Sequence, residues 1–194
     1  MAEVLDLYFN ILVILNPFTA ASVYLTLAGD DPREAHRVAI VSLALVILLG
    51  TAVIIAGEQL LRVLGIDLPS LGAGGGILLM VIAVDMITGE HKVRSVEPGE
   101  LAVVPLATPM ILGPGAMTVL LHLSAQYPRD AVIPAFILAA LTVGVVLYTS
   151  PILRRVLGVT GVKALSKFMA LLIAAVAADM IHGALVEWGI APRG

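Results

Sequence analysis

The sequence predicts an all-α membrane protein: six transmembrane helices in two inverted three-helix repeats, with helices 1 and 4 broken at proline motifs. Three observations carry that prediction. Apolar residues make up 60% of the chain and charged residues only 13%, whereas a soluble domain carries about 25% charged residues to face water. The charges gather in short clusters, and the stretches 38–57 and 101–121 contain no Asp, Glu, Lys or Arg. Stretches of roughly 20 such residues cross a hydrocarbon core as a helix. Lastly, the chain resembles itself about halfway along.

The spans fall at about 4–28, 35–57, 68–88, 101–126, 131–150 and 166–187. Breakers separate them: Gly29-Asp30-Asp31-Pro32, Gly65-Ile66-Asp67-Leu68-Pro69, residues 89–100, Tyr127-Pro128-Arg129-Asp130, and residues 158–161. No linker is long enough to divide the chain, so residues 1–194 read as a single transmembrane domain, with repeat 1 at about 1–95 and repeat 2 at about 96–194. The first segment has no basic leader and no small-x-small cleavage signal, and it is expected to stay as a helix.

Orientation follows from the basic residues of the short loops. Loops one, three and five hold Arg33, Arg37, Lys92, Arg94, Arg154, Arg155, Lys163 and Lys167, against Arg62, Arg129 and Arg193 on the other side. This excess places the odd loops in the cytoplasm and both termini outside, in a cell (inner) membrane. Tyr8, Tyr127 and Trp188 then sit near the outer interface, where amphipathic rings are favoured.

The internal repeat is specific. Leu60-Leu61-Arg62-Val63-Leu64-Gly65-Ile66 matches Leu153-Arg154-Arg155-Val156-Leu157-Gly158-Val159, and Ala83-Val84-Asp85-Met86-Ile87-Thr88-Gly89 matches Ala177-Ala178-Asp179-Met180-Ile181-His182-Gly183. The offsets are 93 and 94 residues, so Arg, Asp and Gly keep register. A looser match pairs Asn16-Pro17-Phe18-Thr19-Ala20 with Gly113-Pro114-Gly115-Ala116-Met117. Three spans per half is odd, so the halves enter the membrane with opposite polarity, the usual construction of secondary transporters.

The two proline motifs are the candidate binding site. Proline has no N–H and collides with the carbonyl four residues earlier, so each motif frees backbone groups that lipid cannot satisfy. Asn16, Pro17, Thr19, Thr108, Pro109, Gly113, Pro114, Gly115 and Thr118 are the expected substrate-binding residues. Helix amino termini meeting there would offer N–H groups to a carboxylate. The bland alternative is a pair of kinks sealed by threonine hydroxyls. Asp85 and Asp179 lie inside apolar runs, where a carboxylate is a functional candidate by default. They are the ion-coupling candidates; the alternative is a helix-end carboxylate in interfacial water. His182 stands near Asp179 and could share a proton.

Other chemistry finds no support. There is no Cys, His36, His91, His122 and His182 lack metal-ligand spacing, and no nucleophile–base set suggests an enzyme. No basic face exists to hold nucleic acid. Gly72-Ala73-Gly74-Gly75-Gly76 lacks the Lys and Ser/Thr of a phosphate loop and reads as a close-packing helix face. No metal and no cofactor are expected.

The Asn16-Pro17-Phe18 break, the Ala107-Thr108-Pro109-Met110-Ile111-Leu112-Gly113-Pro114-Gly115-Ala116 segment, and Gly74-Gly75-Gly76-Ile77-Leu78-Leu79 ahead of Ala83-Val84-Asp85-Met86 resemble the MarC family, over essentially the whole chain. The resemblance implies ion-coupled transport of small neutral amino acids of the glycine and alanine type. The partners implied are a small zwitterionic solute, a coupling proton or sodium ion, the lipid bilayer and a homo-oligomer. The family usually continues its first motif with Gly-Asn and a second Pro, where this chain has Phe18-Thr19-Ala20-Ala21-Ser22. Asp179 stands where many relatives carry an uncharged polar residue. The competing expectations are a channel or exporter for another small solute, and an assembly protein that transports nothing.

Overall fold

A break in the first apolar segment sets the architecture. α1 (Ala2–Leu15) and α2 (Pro17–Leu27) are separated by Asn16 alone: Pro17 has no N–H for the Val13 carbonyl and suits the first position of a new helix, although Pro134 and Pro151 are carried inside a later helix. α3 (Pro32–Leu64) and α4 (Leu68–Thr88) follow, then α5 (Pro114–Gln126) and α6 (Arg129–Glu187). The computed structural model describes residues 2–27, 32–88 and 111–192. Among them there is helix and no strand. Four helical stretches are long and apolar enough to cross a membrane: Glu3–Leu25, which takes α1 and α2 together, Ala35–Leu64, Leu68–Thr88 and Arg129–Glu187.

Two sequence expectations change here. The connection expected at 158–161 is helical except at Gly158, whose backbone (φ 67, ψ 175) is not. The stretch 129–187 is therefore two helical legs meeting at one glycine rather than two helices joined by a loop. At 1.5 Å per residue its 59 residues would span about 88 Å as a straight rod, far more than a bilayer core of about 30 Å. Gly65, which the repeat aligns with Gly158, has φ 66. Both glycines have a positive φ that a residue with a Cβ rarely adopts, and at Gly158 the extended ψ breaks the helical path. In the fourth expected span, the α-helix described runs from Pro114; residues 101–110, and with them Thr108 and Pro109, lie outside the described residues.

α6 packs against α1, α2, α3 and α4, and α5 lies against α3, α4 and α1. The core holds Ile11 and Leu15 of α1, Val46 and Ile54 of α3, Leu79 of α4, Leu120 of α5, and Phe136 and Leu147 of α6. Missing side chains let the helices approach closely. A Cβ on Gly50 would lie 2.1 Å from Phe136 Cζ, and one on Gly144 would lie 2.7 Å from Leu43 Cδ2. Across α4 and the second leg of α6, a Cβ on Gly76 would meet the Ala177 carbonyl at 2.7 Å. The glycine run is thus a packing face, as small residues are at membrane helix contacts.

The opposite faces stay apolar and uncovered. Ile40, Leu48 and Ile55 of α3, Val81 and Val84 of α4, and Leu138, Val145 and Ile152 of α6 are all exposed. This inverts the polar outer face of a soluble helix and fits a lipid surround. Hydroxyls inside the helices donate to carbonyls one turn back: Thr142 Oγ1 to Leu138 O at 2.9 Å, Ser150 Oγ to Leu147 O at 2.6 Å. Such back-bonding removes an unpaired donor without a second helix.

Candidate functional site

The two proline motifs, nearly a hundred residues apart in sequence, line one cavity. Its volume is about 300 Å³, and its wall includes Asn16, Thr19, Gly113, Pro114 and Gly115. That is the small end of the range for ligand pockets. Apolar side chains close the rest: Ile14, Leu78, Leu79, Ile82, Met86, Ile111 and Ile173.

The first break carries its own cap. Asn16 is buried, with φ 47. That is left-handed backbone which asparagine tolerates better than other residues with a side chain. Its N–H donates to Leu12 O at 3.2 Å, and its carbonyl accepts from Ala20 N–H at 3.1 Å. Its side-chain oxygen accepts the Thr19 N–H at 3.2 Å, which satisfies one of the orphan donors of the new helix. The amide nitrogen has a weak acceptor, Met86 Sδ at 3.5 Å. Pro17 offers no N–H to the Val13 carbonyl, so the carboxyl end of α1 keeps unspent acceptors beside the cavity.

The second break carries no such cap. Gly113 stands at the N-cap of α5 in extended backbone (φ −74, ψ 176) with no side-chain bond, and Pro114 is the first helical residue. Met117 N–H returns to Gly113 O at 2.9 Å. The N–H groups of Gly115 and Ala116 have no acceptor within the helix, and both residues line the cavity. Two N–H donors and the positive end of a 13-residue helix make an anion site of the kind helix termini provide.

One buried polar atom in this cavity is unmatched. Thr19 Oγ1 has no hydrogen-bond partner among the described residues, and a buried hydroxyl without a partner costs about 1–3 kcal/mol. Thr118, by contrast, is spent on its own helix, donating to Pro114 O at 2.9 Å. Its methyl packs where a Cβ of Gly75 would stand.

The carboxylate candidates fall elsewhere. Asp85 is half-buried and Asp179 exposed, and neither lines the cavity; on α4 the residue that does is Met86. Residues 78, 79, 82 and 86 span one face at helical spacing, and Asp85 falls at the edge of that arc, beside Leu78, without reaching the cavity. Sequence reasoning passed over these apolar wall residues, and their i, i+4, i+8 periodicity was the available signal. It also passed over His122, whose Nδ1 is buried without a partner among the described residues.

Comparison with known proteins agrees over the length of the chain. The family profile described as MarC family integral membrane protein matches residues 1–189. The chain is 34% identical over 188 residues to a UPF0056 membrane protein of Methanocaldococcus jannaschii, covering 89% of this chain and 90% of that one. It is 30% identical to a UPF0056 membrane protein of Aquifex aeolicus, covering 90% and 88%. It is 28% identical to the UPF0056 inner membrane protein YhgN of Escherichia coli, covering 97% and 98%. No solved structure matches.

Proposed function

The chain belongs to the MarC family of integral membrane proteins, and on that premise we propose that it is a secondary transporter of small neutral amino acids, ion-coupled, working by alternating access between two inverted repeats. The observation that carries the reading is the cavity shared by the two breaks, with two uncapped N–H donors and one unpartnered hydroxyl on its wall. An amino acid carboxylate meets the Gly115 and Ala116 N–H groups. The ammonium meets carbonyls at the carboxyl end of α1, and Thr19 supplies a further hydrogen bond. A cavity of about 300 Å³ walled by Leu79, Ile82 and Ile173 accommodates a small zwitterion and sets an apolar wall against its side chain.

The repeats are supported by reciprocal packing. Leu43 fills the space over Gly144 and Phe136 fills the space over Gly50. Residues 43 and 136, and 50 and 144, are separated by the 93 and 94 residues of the sequence repeat. A contact made twice with its partners exchanged is what a two-fold relation between halves produces. Gly65 and Gly158, with matching φ, are in the same relation. With α6 read as two crossings about Gly158, the four apolar helical stretches supply five spans, and the span that the sequence predicts at about 101–126 brings the total to six. The excess of basic residues in the odd loops sets both termini outside an inner membrane, in keeping with the inner membrane name of the Escherichia coli relative.

The test is uptake of labelled glycine and alanine into vesicles holding the purified protein, with and without proton and sodium gradients. Saturable, gradient-driven uptake is expected. The Thr19→Val variant is expected to bind alanine about two- to tenfold more weakly, the worth of one hydrogen bond, while melting no lower than the wild type. Absence of both binding and uptake across the small amino acids sinks the reading. Flux that does not saturate points instead to a channel for another small solute.

A further inference from the structure

α5 presents one continuous stripe to α4. Gly115, Thr118 and His122 recur at helical spacing on a single face. Their counterparts on α4 run the other way. A Cβ on Gly115 would meet Leu79 Cδ2 at 2.8 Å, Thr118 Cγ2 lies 2.2 Å from the Cβ position of Gly75, and His122 Cε1 lies 3.2 Å from that of Gly72. The seam thus begins at the cavity and ends on a histidine seven residues, or about 10 Å along the helix, away. There the imidazole fits against α4 because Gly72 has no side chain. Its Nδ1 is buried and has no hydrogen-bond partner among the described residues.

A buried, unpartnered ring nitrogen calls for an explanation, and the surroundings offer one. Asp179 and Glu187, on the second leg of α6, lie within electrostatic reach of the ring, and His182 stands on the same leg. The facing stretch of α4, residues 72–76, carries no titratable group, and His122 is the one titratable group on α5. A charge on the ring needs a partner that the present packing does not give to Nδ1. Protonation and a shift of α4 against α5 therefore belong together. α4 also supplies Leu78, Leu79, Ile82 and Met86 to the cavity, so any such shift reshapes the binding site.

We propose that His122 is the proton-binding residue of this chain, gaining its proton in step with the α4–α5 movement that accompanies solute binding, with Glu187 and Asp179 as the carboxylates that offset the charged ring. This rests on the transporter reading above. Histidine suits the task because its proton exchanges near neutral pH. Coupling arises because the protonated ring and the bound solute favour the same arrangement of one seam.

Alanine binding to the purified full chain, measured calorimetrically in two buffers of different ionisation heat, counts the protons taken up per alanine bound. The wild type is expected to take up a proton as alanine binds. His122→Gln is expected to bind alanine without proton uptake. Asp179→Asn, which leaves the imidazole in place, is expected to move proton uptake to lower pH and guards against a His122→Gln protein that does not fold. Proton uptake unchanged in His122→Gln, or unmoved in Asp179→Asn, overturns the proposal, as does alanine binding by the wild type with no proton taken up. A wild type that binds no small amino acid overturns the transporter reading itself, so the two failures are distinct.

Discussion

The two breaks at Asn16-Pro17 and Gly113-Pro114 each start a helix on a proline, yet they leave different groups exposed. At Asn16-Pro17 the side chain folds back on its own helix and takes the Thr19 N–H, at the expense of left-handed backbone. At Gly113-Pro114 there is no side chain to do so, the backbone is relaxed, and the Gly115 and Ala116 N–H groups are uncapped. The first break is an element that stabilises itself; the second depends on what enters the cavity. Under the transporter reading, such a pair would hold an asymmetric solute, with acceptors at the carboxyl end of α1 and donors at the amino end of α5.

The largest effect is expected where the second break is filled. Gly115→Val places atoms against Leu79 and Ile82, whose nearest carbons stand 2.8 and 3.0 Å from even a Cβ. Alanine binding should fall by more than about tenfold, or roughly 1.4 kcal/mol, in protein whose thermal melt shows it folded. Wild-type affinity in this variant moves the site away from the second break.

Next comes the first break. Asn16→Ala loses the cap and puts a residue without a local hydrogen bond at φ 47, so a stability loss of about 1–2 kcal/mol is expected in denaturant titration. Asn16→Gly accepts that φ and should recover most of it. Equal losses in both variants would mean that the backbone angle is not the source of the cost.

Making the second break like the first sharpens the comparison at smaller amplitude. Gly113→Asn fits the extended backbone at the N-cap and offers α5 a side-chain acceptor. The fold should gain a few tenths of a kcal/mol while alanine affinity drops about two- to tenfold. A gain in stability with no loss of binding would show that the N–H groups do not hold the solute.

The smallest effect concerns a cap outside the membrane. Asp67 Oδ1 accepts the Ser70 N–H at 2.8 Å at the start of α4. The Ser70 hydroxyl first, and its backbone N–H second, hold the carboxyl below its usual value of 3.8. A depressed carboxyl contributes stability that is complete above the unfolded value and is lost as pH falls through the folded one. Melting between pH 5 and pH 3 should therefore decline slightly more steeply in the wild type than in Asp67→Asn. Parallel curves would remove Asp67 as a cap of any consequence.

Much of this was legible in the sequence because it depends on local chemistry. Composition and uncharged runs fix membrane helices, since hydrocarbon admits little else. Pro17 and Pro114 suit helix starts because proline lacks an N–H and its φ is preset, though Pro134 and Pro151 are carried inside α6, so a proline alone does not decide a break. Gly65 and Gly158 were in register in the repeat before they proved alike in φ. Which face of a helix meets the cavity was decided only by packing. Each residue turns a helix by about 100°, so a single position separates Asp85, which sequence singled out, from Met86, which lines the pocket. Likewise the sequence shows that Asn16 and Gly113 differ, but not that one caps its own helix and the other leaves its helix uncapped, and His122 reads as one of several scattered histidines. Only the juxtaposition of α1, α4, α5 and α6 leaves Thr19 Oγ1 and His122 Nδ1 buried without partners, because burial and the pairing of polar atoms belong to neighbours far away in the chain.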